Sequence, residues 1–212
     1  MKSAVILLAG LFASVAASAE CGVGLSYGRI KVGGISSAHG DEVLMSKYTE
    51  VKARVKDSSN VTELALQCEF SGGYAFSLSH LRGVRLSIDR DVHFTGYEGH
   101  GVSIPGGYLT TVHEDVHAYA NRISGFKYFD YGIVAPYIQL GIQDVHATHR
   151  VWVNVKSYVL SYEESKSQVA PFVGLGVVIA RKGPIQLRAG WQLLSKKPHE
   201  VSMYTIGVQG QF

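Results

Sequence analysis

The stretch of the chain with the clearest chemical potential is residues 112–117, V-H-E-D-V-H, which contains the pattern H-E-x-x-H. On an α-helix, His113 and His117 would share one face and could bind one zinc ion while Glu114 activates a metal-bound water. On a β-strand, the two histidines would lie roughly 13 Å apart, at about 3.3 Å per residue, which is too far to share one zinc ion. The local backbone therefore decides whether this pattern could be a zinc protease site.

Histidine is also common in other segments of the chain. Seven of the nine histidines fall in or near the segments that we assign below to the outer loops. Grouped imidazoles could bind a transition metal weakly or make a surface sensitive to pH, because the charge of histidine changes near pH 6.5. Their spacing identifies no metal ligand set and no cofactor site. Weak metal binding is therefore a hypothesis that rests only on the position of these histidines. The seven are His93, His100, His113, His117, His146, His149 and His199.

The elements that must position these residues are long β-strands. Residues 64–76 alternate between apolar and polar side chains without interruption, which is typical of a strand and outlasts an average soluble strand. After a break at residues 77–83, the alternation resumes at Val84. Six segments show the pattern clearly and two show it weakly, which predicts eight strands. The clear segments are 64–76, 84–89, 134–142, 169–179, 185–193 and 202–212, and the weak ones are 21–32 and part of 113–129.

The connections between these strands alternate in length. Transmembrane β-barrels have short turns on the periplasmic side and longer loops outside. In a membrane, strands must close into a barrel so that no backbone group stays unpaired. We therefore predict an all-β fold for residues 20–212, an eight-stranded antiparallel transmembrane up-and-down β-barrel. Long outer loops are expected at about 33–60, 91–112, 144–167 and 194–199, and short turns at 77–83, 130–132 and 181–184.

The first nineteen residues have the features of a cleaved secretory signal. Lys2 is followed by an apolar segment at 4–15 and by Ala17 and Ala19 in a small-x-small arrangement. After residue 19 the chain contains no run of 18 or more apolar residues, so no transmembrane helix is predicted. The formal net charge of +3 is small and dispersed, which argues against a nucleic-acid partner.

The chain has two cysteines, Cys21 and Cys68. After export they could pair, because the compartment outside the cytoplasm is oxidising. The predicted layout places them far apart along the strands. The sequence leaves a disulfide open, but we do not expect one.

The interior of an eight-stranded barrel is about filled by its own side chains. Charged groups in such a space are tolerated when they are paired and hydrogen-bonded, so we expect an ion-pair network among Glu69, Asp89, Arg85 and Arg188. Such a network would act as a plug rather than as a conducting path. The full set predicted to point inward is Glu63, Gln67, Glu69, Arg85, Asp89, Tyr137, Gln139, Gln186 and Arg188.

Three short groups of residues carry a resemblance to a known family. The chain closes with His199-Glu200-Val201-Ser202, then Gly207-Val208 and the terminal Phe212; residues 136–141 and 171–176 each begin with proline and an aromatic residue and contain glycine. In these features the sequence resembles the opacity-family outer-membrane proteins. The resemblance implies a bacterial outer-membrane barrel whose partners are membrane lipids, host-surface molecules at the loops, and the assembly machinery that recognises a terminal residue such as Phe212.

Three functions remain in competition. The first is adhesion or ligand binding at the cell surface, for which the long loops supply area and tyrosines suited to a polar interface. The second is a small porin-like channel. The third is an enzyme. The tyrosines are Tyr97, Tyr108, Tyr158 and Tyr162.

The enzyme hypothesis has two forms. The zinc protease is disfavoured, because H-E-x-x-H falls on a predicted strand. A hydrolase acting on membrane lipid would need a serine, a histidine and an acidic residue side by side at the lipid-facing rim. The sequence contains candidates of each type but no group of three at an instructive spacing. We therefore predict a non-enzymatic protein without catalytic residues.

Overall fold

The computed structural model describes residues 20–33, 48–99, 102–155, 158–195 and 200–212. The predicted signal at 1–19 lies outside them. The described residues include no α-helix that could span a membrane. The strands are β1 (Glu20–Val32), β2 (Tyr48–Lys56), β3 (Ser58–Phe70), β4 (Tyr74–Gly99), β5 (Val102–Tyr128), β6 (Val134–Val155), β7 (Tyr158–Ile179), β8 (Ile185–Ser195) and β9 (Val201–Gln211).

Eight of these strands form a closed antiparallel ring. Each strand from β3 to β8 pairs with the next, and β1 pairs with both β3 and β9, where Leu25 lies opposite Val208. Closure leaves the ring without a free edge, which is the arrangement that a β-structure needs in lipid. The predicted eight-stranded all-β fold is therefore confirmed.

The outer surface of the ring is an apolar belt. Along each strand the residues that point outward are large and apolar, while those that point inward are glutamine, glutamate, arginine or aromatic residues. Such alternation suits lipid on one side and a filled lumen on the other. Outward members of the belt include Leu25, Leu64, Leu66, Ile138, Leu140, Ile142, Val169, Leu175, Leu187 and Ile206.

The first turn lies earlier in the chain than predicted. β3 ends at Phe70, and the chain turns at residues 71–73, where Gly72 and Gly73 have φ angles of 77° and 75°. Glycine adopts these angles without steric cost. Phe70 then lies opposite Tyr74, so the even-numbered residues stay on one face through the turn. The alternation of apolar and polar residues therefore continues across the turn and does not reveal it. The predicted break at 77–83 is wrong, because these residues belong to β4.

A β-bulge in β4 reverses which residues point inward. The register shifts by one between Leu81 and Val84, and Gly83 has a φ of 94°. Odd-numbered residues point inward before the bulge, and even-numbered residues after it. Val84 and Ile88 are consequently buried at 8% exposure each, while Arg85 is exposed. Since a bulge adds one residue to one strand, it moves the side chains that follow to the other face, here as far as the next register shift between Phe94 and Gly96.

Two of the predicted outer loops are hairpins. β4 and β5 pair as far as Gly99 and Val102, which includes most of 91–112, and β6 and β7 pair as far as Val155 and Tyr158, which includes most of 144–167. The predicted loop at 33–60 contains β2, which pairs with the outer part of β4. Its residues 34–47 and residues 196–199 of the fourth predicted loop lie outside the described residues.

These extensions make one side of the barrel taller than the other. β1, β8 and β9 have their outer ends at Val32, Ser195 and Val201, whereas β4 to β7 continue well beyond that level. We call β2 together with the outer parts of β4 to β7 the protruding sheet. Backbone pairing, rather than free loop, therefore shapes most of the outer surface that the structure describes.

The two cysteines are joined. Cys21 lies directly opposite Cys68 on neighbouring strands, and a disulfide connects them. The expectation that they lie far apart is wrong. The predicted strand 64–76 included the turn at 71–73 and so placed Cys68 in the middle of a strand. In the structure β3 ends two residues after Cys68, which places that residue beside the start of β1.

Candidate functional site

Hydrogen-bonded charged groups close the lumen at the end of the barrel that carries the short turns, which we call the lower end. Arg181 binds Glu69 at 3.1 Å and Asp130 at 2.5 Å. Arg188 donates to Gln67 and to the Tyr128 hydroxyl, both at 2.7 Å. Burial lowers the pKa of the Arg181 guanidinium, but its hydrogen bonds with Asp130 and Glu69 outweigh that effect and raise the pKa above its ordinary value.

A second ion pair closes the middle of the lumen. Arg122, fully buried, donates to Glu63 at 2.8 Å and to Gln192 at 2.5 Å. Its guanidinium also lies 4.0 Å from the centre of the Phe172 ring. Ser79 donates to the same carboxylate of Glu63 at 2.6 Å. Arg122 and Glu63 therefore compensate each other's charge in a low-dielectric interior, while Nε of Arg122 has no hydrogen-bond partner.

The predicted network is correct in kind and partly wrong in membership. Glu69 and Arg188 point inward as predicted, but Glu69 pairs with Arg181 rather than with Arg188. Arg85 and Asp89 lie on the outer face because the bulge at Gly83 precedes them. Asp89 instead accepts a hydrogen bond from His113 at 2.7 Å. The inward placement of Glu63, Gln67, Tyr137, Gln139, Gln186 and Arg188 is confirmed.

The H-E-x-x-H pattern lies in the middle of β5. His113 and His117 are on its outer face, while Glu114 points inward and is 3% exposed. Glu114 forms an ion pair with the buried Arg90 at 2.8 Å and lies 3.4 Å from Nε2 of His149. This glutamate therefore serves the interior of the protruding sheet, and the helical zinc arrangement is absent from this strand.

The described histidines of the predicted group lie apart from one another on β4 to β6, with His149 on the inner face and the others on the outer face. His113 stacks on Trp152, His149 lies beside Glu114, and His93 and His117 are exposed. Among the described residues, no three potential ligands converge on a point that could hold a metal ion. His100 and His199 lie outside the described residues.

A basic cleft opens where β2 ends and β3 begins. It has a volume of about 460 Å³ and is lined by three exposed cations, Arg29, Lys56 and Arg85. The Ser58 hydroxyl lies at its floor and accepts a hydrogen bond from Arg29 at 2.8 Å. Arg29 stands two residues beyond Tyr27, an exposed member of the apolar belt. Three cations around a cleft of this size can bind an anionic group such as a sulfate or a phosphate.

A serine, a histidine and an aspartate meet on the outer face of β6 and β7. The Ser167 hydroxyl and Nδ1 of His146 are 2.5 Å apart, and Nε2 of His146 is 2.9 Å from Oδ2 of Asp144. The Tyr119 ring stacks on the imidazole, with the ring centres 4.8 Å apart. Three groups in this order can activate a hydroxyl as a nucleophile.

The sequence analysis missed this group for a definite reason. Residues 144–167 were predicted to be a loop, in which spacing has no fixed meaning. In the hairpin, Asp144 and His146 are two apart on one face of β6, and Ser167 lies directly opposite His146 on β7. Strand continuation through this segment would have identified the three residues together.

Comparison with known proteins shows the fold. No protein-family model matches the chain, and no curated protein matches its sequence. The structure is similar to that of Ail, the attachment invasion locus protein of Yersinia pestis, with a TM-score of 0.52 and 13% identity over 92% of this chain and 99% of that chain.

Two further structures are similar. Ail in complex with the heparin analogue sucrose octasulfate gives a TM-score of 0.50 at 12% identity, over 92% of this chain and 99% of that chain. Neisserial surface protein A gives 0.48 at 15% identity, with coverage of 92% and 99%. At 13% and 12% identity, the likeness to the two Ail structures shows the architecture alone, which is that of the small bacterial outer-membrane β-barrels.

Proposed function

We propose that this outer-membrane β-barrel belongs with the opacity-like adhesins and binds an anionic surface molecule at its outer end. The observation that carries the proposal is the basic cleft of Arg29, Lys56 and Arg85. Its place above the apolar belt puts the cations at the outer surface if the short turns face the periplasm. Ail, a protein of the same fold, has been crystallised with a sulfated heparin analogue.

The protruding sheet supplies area beside the cleft. This sheet consists of five strands that continue beyond the belt. A paired backbone holds a binding surface in place at lower entropic cost than free loops. Of the four tyrosines expected at an interface, Tyr162 is partly exposed on this sheet. Tyr97, Tyr108 and Tyr158 lie on its strands, and their side chains are outside the described set.

The channel alternative has less support. Ion pairs and amides cross the lumen at two levels, and the space among Glu63, Tyr137 and Arg188 is about 20 Å³. Above this plug is an apolar cavity of about 380 Å³. A cavity that ends on a plug can hold a small apolar molecule but offers ions no continuous path.

The experiment is a binding titration of refolded protein in detergent with sucrose octasulfate and, separately, with lipopolysaccharide. Because the proposed contacts are ionic, affinity should fall about tenfold or more in Lys56→Gln and Arg85→Gln, and should weaken with salt. Arg150→Gln removes an exposed cation on β6 that pairs with Glu163 and is the matched control. Equal affinity in all four proteins would refute the cleft as the site.

The two probes separate the sources of the anion. Binding of the sulfated sugar with no preference for lipopolysaccharide would identify an external glycan as the ligand class. Preference for lipopolysaccharide would identify a lipid phosphate of the barrel's own membrane and would overturn the adhesin proposal.

A further inference from the structure

We propose that Ser167, His146 and Asp144 form a hydrolytic site for acyl esters of membrane lipids. The geometry provides a continuous hydrogen-bond chain, in which the Ser167 hydroxyl donates to Nδ1 of His146 at 2.5 Å and Nε2 donates to Asp144 at 2.9 Å. Tyr119 stacks on the imidazole and fixes its plane. The proposal departs from the sequence-based prediction of a non-enzymatic barrel, and it does not depend on the basic cleft.

The site stands at the upper border of the apolar belt. Ile142 and Val169, both exposed, lie directly below Asp144 and Ser167 on the same faces of their strands. The acyl esters of membrane lipids lie at this border, where hydrocarbon gives way to polar headgroups. A nucleophile here can reach an ester without lifting the lipid from the membrane.

An apolar groove on the outer wall leads away from the site. Its volume is about 600 Å³, and its lining includes Asp144 and Val169 at one end and Leu64, Leu78 and Ile123 further along. A groove of this size and composition can hold an acyl chain alongside the barrel. The chain would then bring its ester carbonyl beside Ser167.

The backbone supplies a donor for the developing oxyanion. Ala180 N–H donates to the Ile133 carbonyl at 2.9 Å, so even-numbered residues of β7 bond towards β6 and odd-numbered residues face the other side. On that side, β8 pairs with β7 no further out than Val173 within the described residues. The N–H of Ser167 therefore points to a strand edge that can receive a substrate oxygen.

The reaction is an acyl transfer to water in two steps. His146 takes the proton of Ser167 while the oxygen bonds to the ester carbonyl carbon; the carbon–oxygen bond to the lipid alcohol then breaks, and the alcohol leaves with that proton. Water next gives a proton to His146 and bonds to the acyl carbon, and the Ser167 oxygen departs and regains the proton. The sum is one ester and one water converted to one fatty acid and one alcohol, with Asp144 orienting the imidazole.

The first test is covalent labelling with a fluorophosphonate. Attack by an activated serine displaces fluoride and leaves a phosphorus–oxygen bond that mass spectrometry locates. Refolded protein should be labelled at Ser167, and labelling should disappear in His146→Gln. Ser165→Ala is the matched control, because Ser165 is on the same face of β7 but bonds to Thr148 rather than to histidine.

The second test measures fatty acid release from phosphatidylethanolamine vesicles and from lipopolysaccharide micelles, which distinguishes the two ester sources. Ser167→Ala should lose on the order of 10³-fold or more of the rate. Ser165→Ala and His113→Ala should keep it, since the His113 pair with Asp89 contains no serine. The change in gel mobility on boiling checks that each variant is folded. Folded wild-type protein that is neither labelled at Ser167 nor active on either lipid would overturn the proposal.

Discussion

The Ser59 side chain binds the Gly83 bulge near the point where β2 ends and β3 begins. Its hydroxyl donates to the Gly83 carbonyl at 3.1 Å and accepts from the Arg85 N–H at 2.9 Å. One side chain thus replaces the backbone pairing that the bulge removes. The bulge sets the phase of the outer part of β4, and with it the exposure of Arg85 in the basic cleft.

Substitution at Gly83 should therefore destabilise the barrel. At a φ of 94°, a β-branched side chain is strained, and a Cβ would meet the Asn60 carbonyl at 3.3 Å. We expect Gly83→Val to cost roughly 1–3 kcal/mol in urea unfolding in detergent, and Gly83→Asn to cost less, since asparagine tolerates positive φ. Gly210→Val is the control, because a Cβ there meets nothing within 4 Å. Equal losses at both glycines would contradict the bulge as the cause.

This bulge marks the limit of what alternation predicts. Period-two patterning identified the closed barrel and the inward position of Glu69, because burial of one face fixes side-chain direction along a regular strand. It could not place Arg85 or Asp89, since a single inserted residue reverses direction without altering composition. Nor could it separate strand from loop beyond the belt, because the outward residues of 144–167, such as His146 and Ser167, are polar and lipid no longer selects apolar side chains there.

The buried pair of Arg122 and Glu63 should be expensive to break. Glu63→Gln leaves the guanidinium of Arg122 uncompensated in the lumen, and we expect a loss of about 3–5 kcal/mol in urea unfolding. The double variant Glu63→Leu with Arg122→Met removes both charges and should recover much of that loss. Glu163→Gln, which breaks the exposed pair with Arg150, should change stability by no more than about 1 kcal/mol. A similar effect at the buried and the exposed pair would contradict this view of the lumen.

The same lumen should not conduct. In planar bilayers we expect no discrete openings from folded wild-type protein, because the ion pairs at Arg122 and Arg181 cross the bore at two levels. Replacement of Glu63, Arg122 and Arg181 together by alanine should remove side-chain volume and charge from both levels and permit small steps of current. Discrete openings from the wild-type protein would instead favour the porin-like alternative.

The terminal Phe212 should matter for assembly in cells more than for stability. Its ring is 79% exposed, while its N–H donates to the Cys21 carbonyl at 2.9 Å and would do so with any side chain except proline. We expect Phe212→Ser to reduce the amount of barrel in outer-membrane fractions, with refolding in detergent unchanged, and Phe212→Tyr to behave as wild type. Equal membrane levels in all three would argue against recognition of this residue.

The disulfide between Cys21 and Cys68 should stabilise the barrel through its effect on the unfolded chain. It closes a loop with a sequence separation of 47 residues between strands that already pair, so its removal leaves the folded ring intact. In the chain-entropy account a loop of this length contributes about 4 kcal/mol. We expect dithiothreitol to lower the urea midpoint of the wild type while the boiled and unboiled forms still differ in gel mobility. The double variant Cys21→Ser with Cys68→Ser should start at the lower midpoint and be insensitive to dithiothreitol, and an unchanged wild-type midpoint on reduction would refute this role.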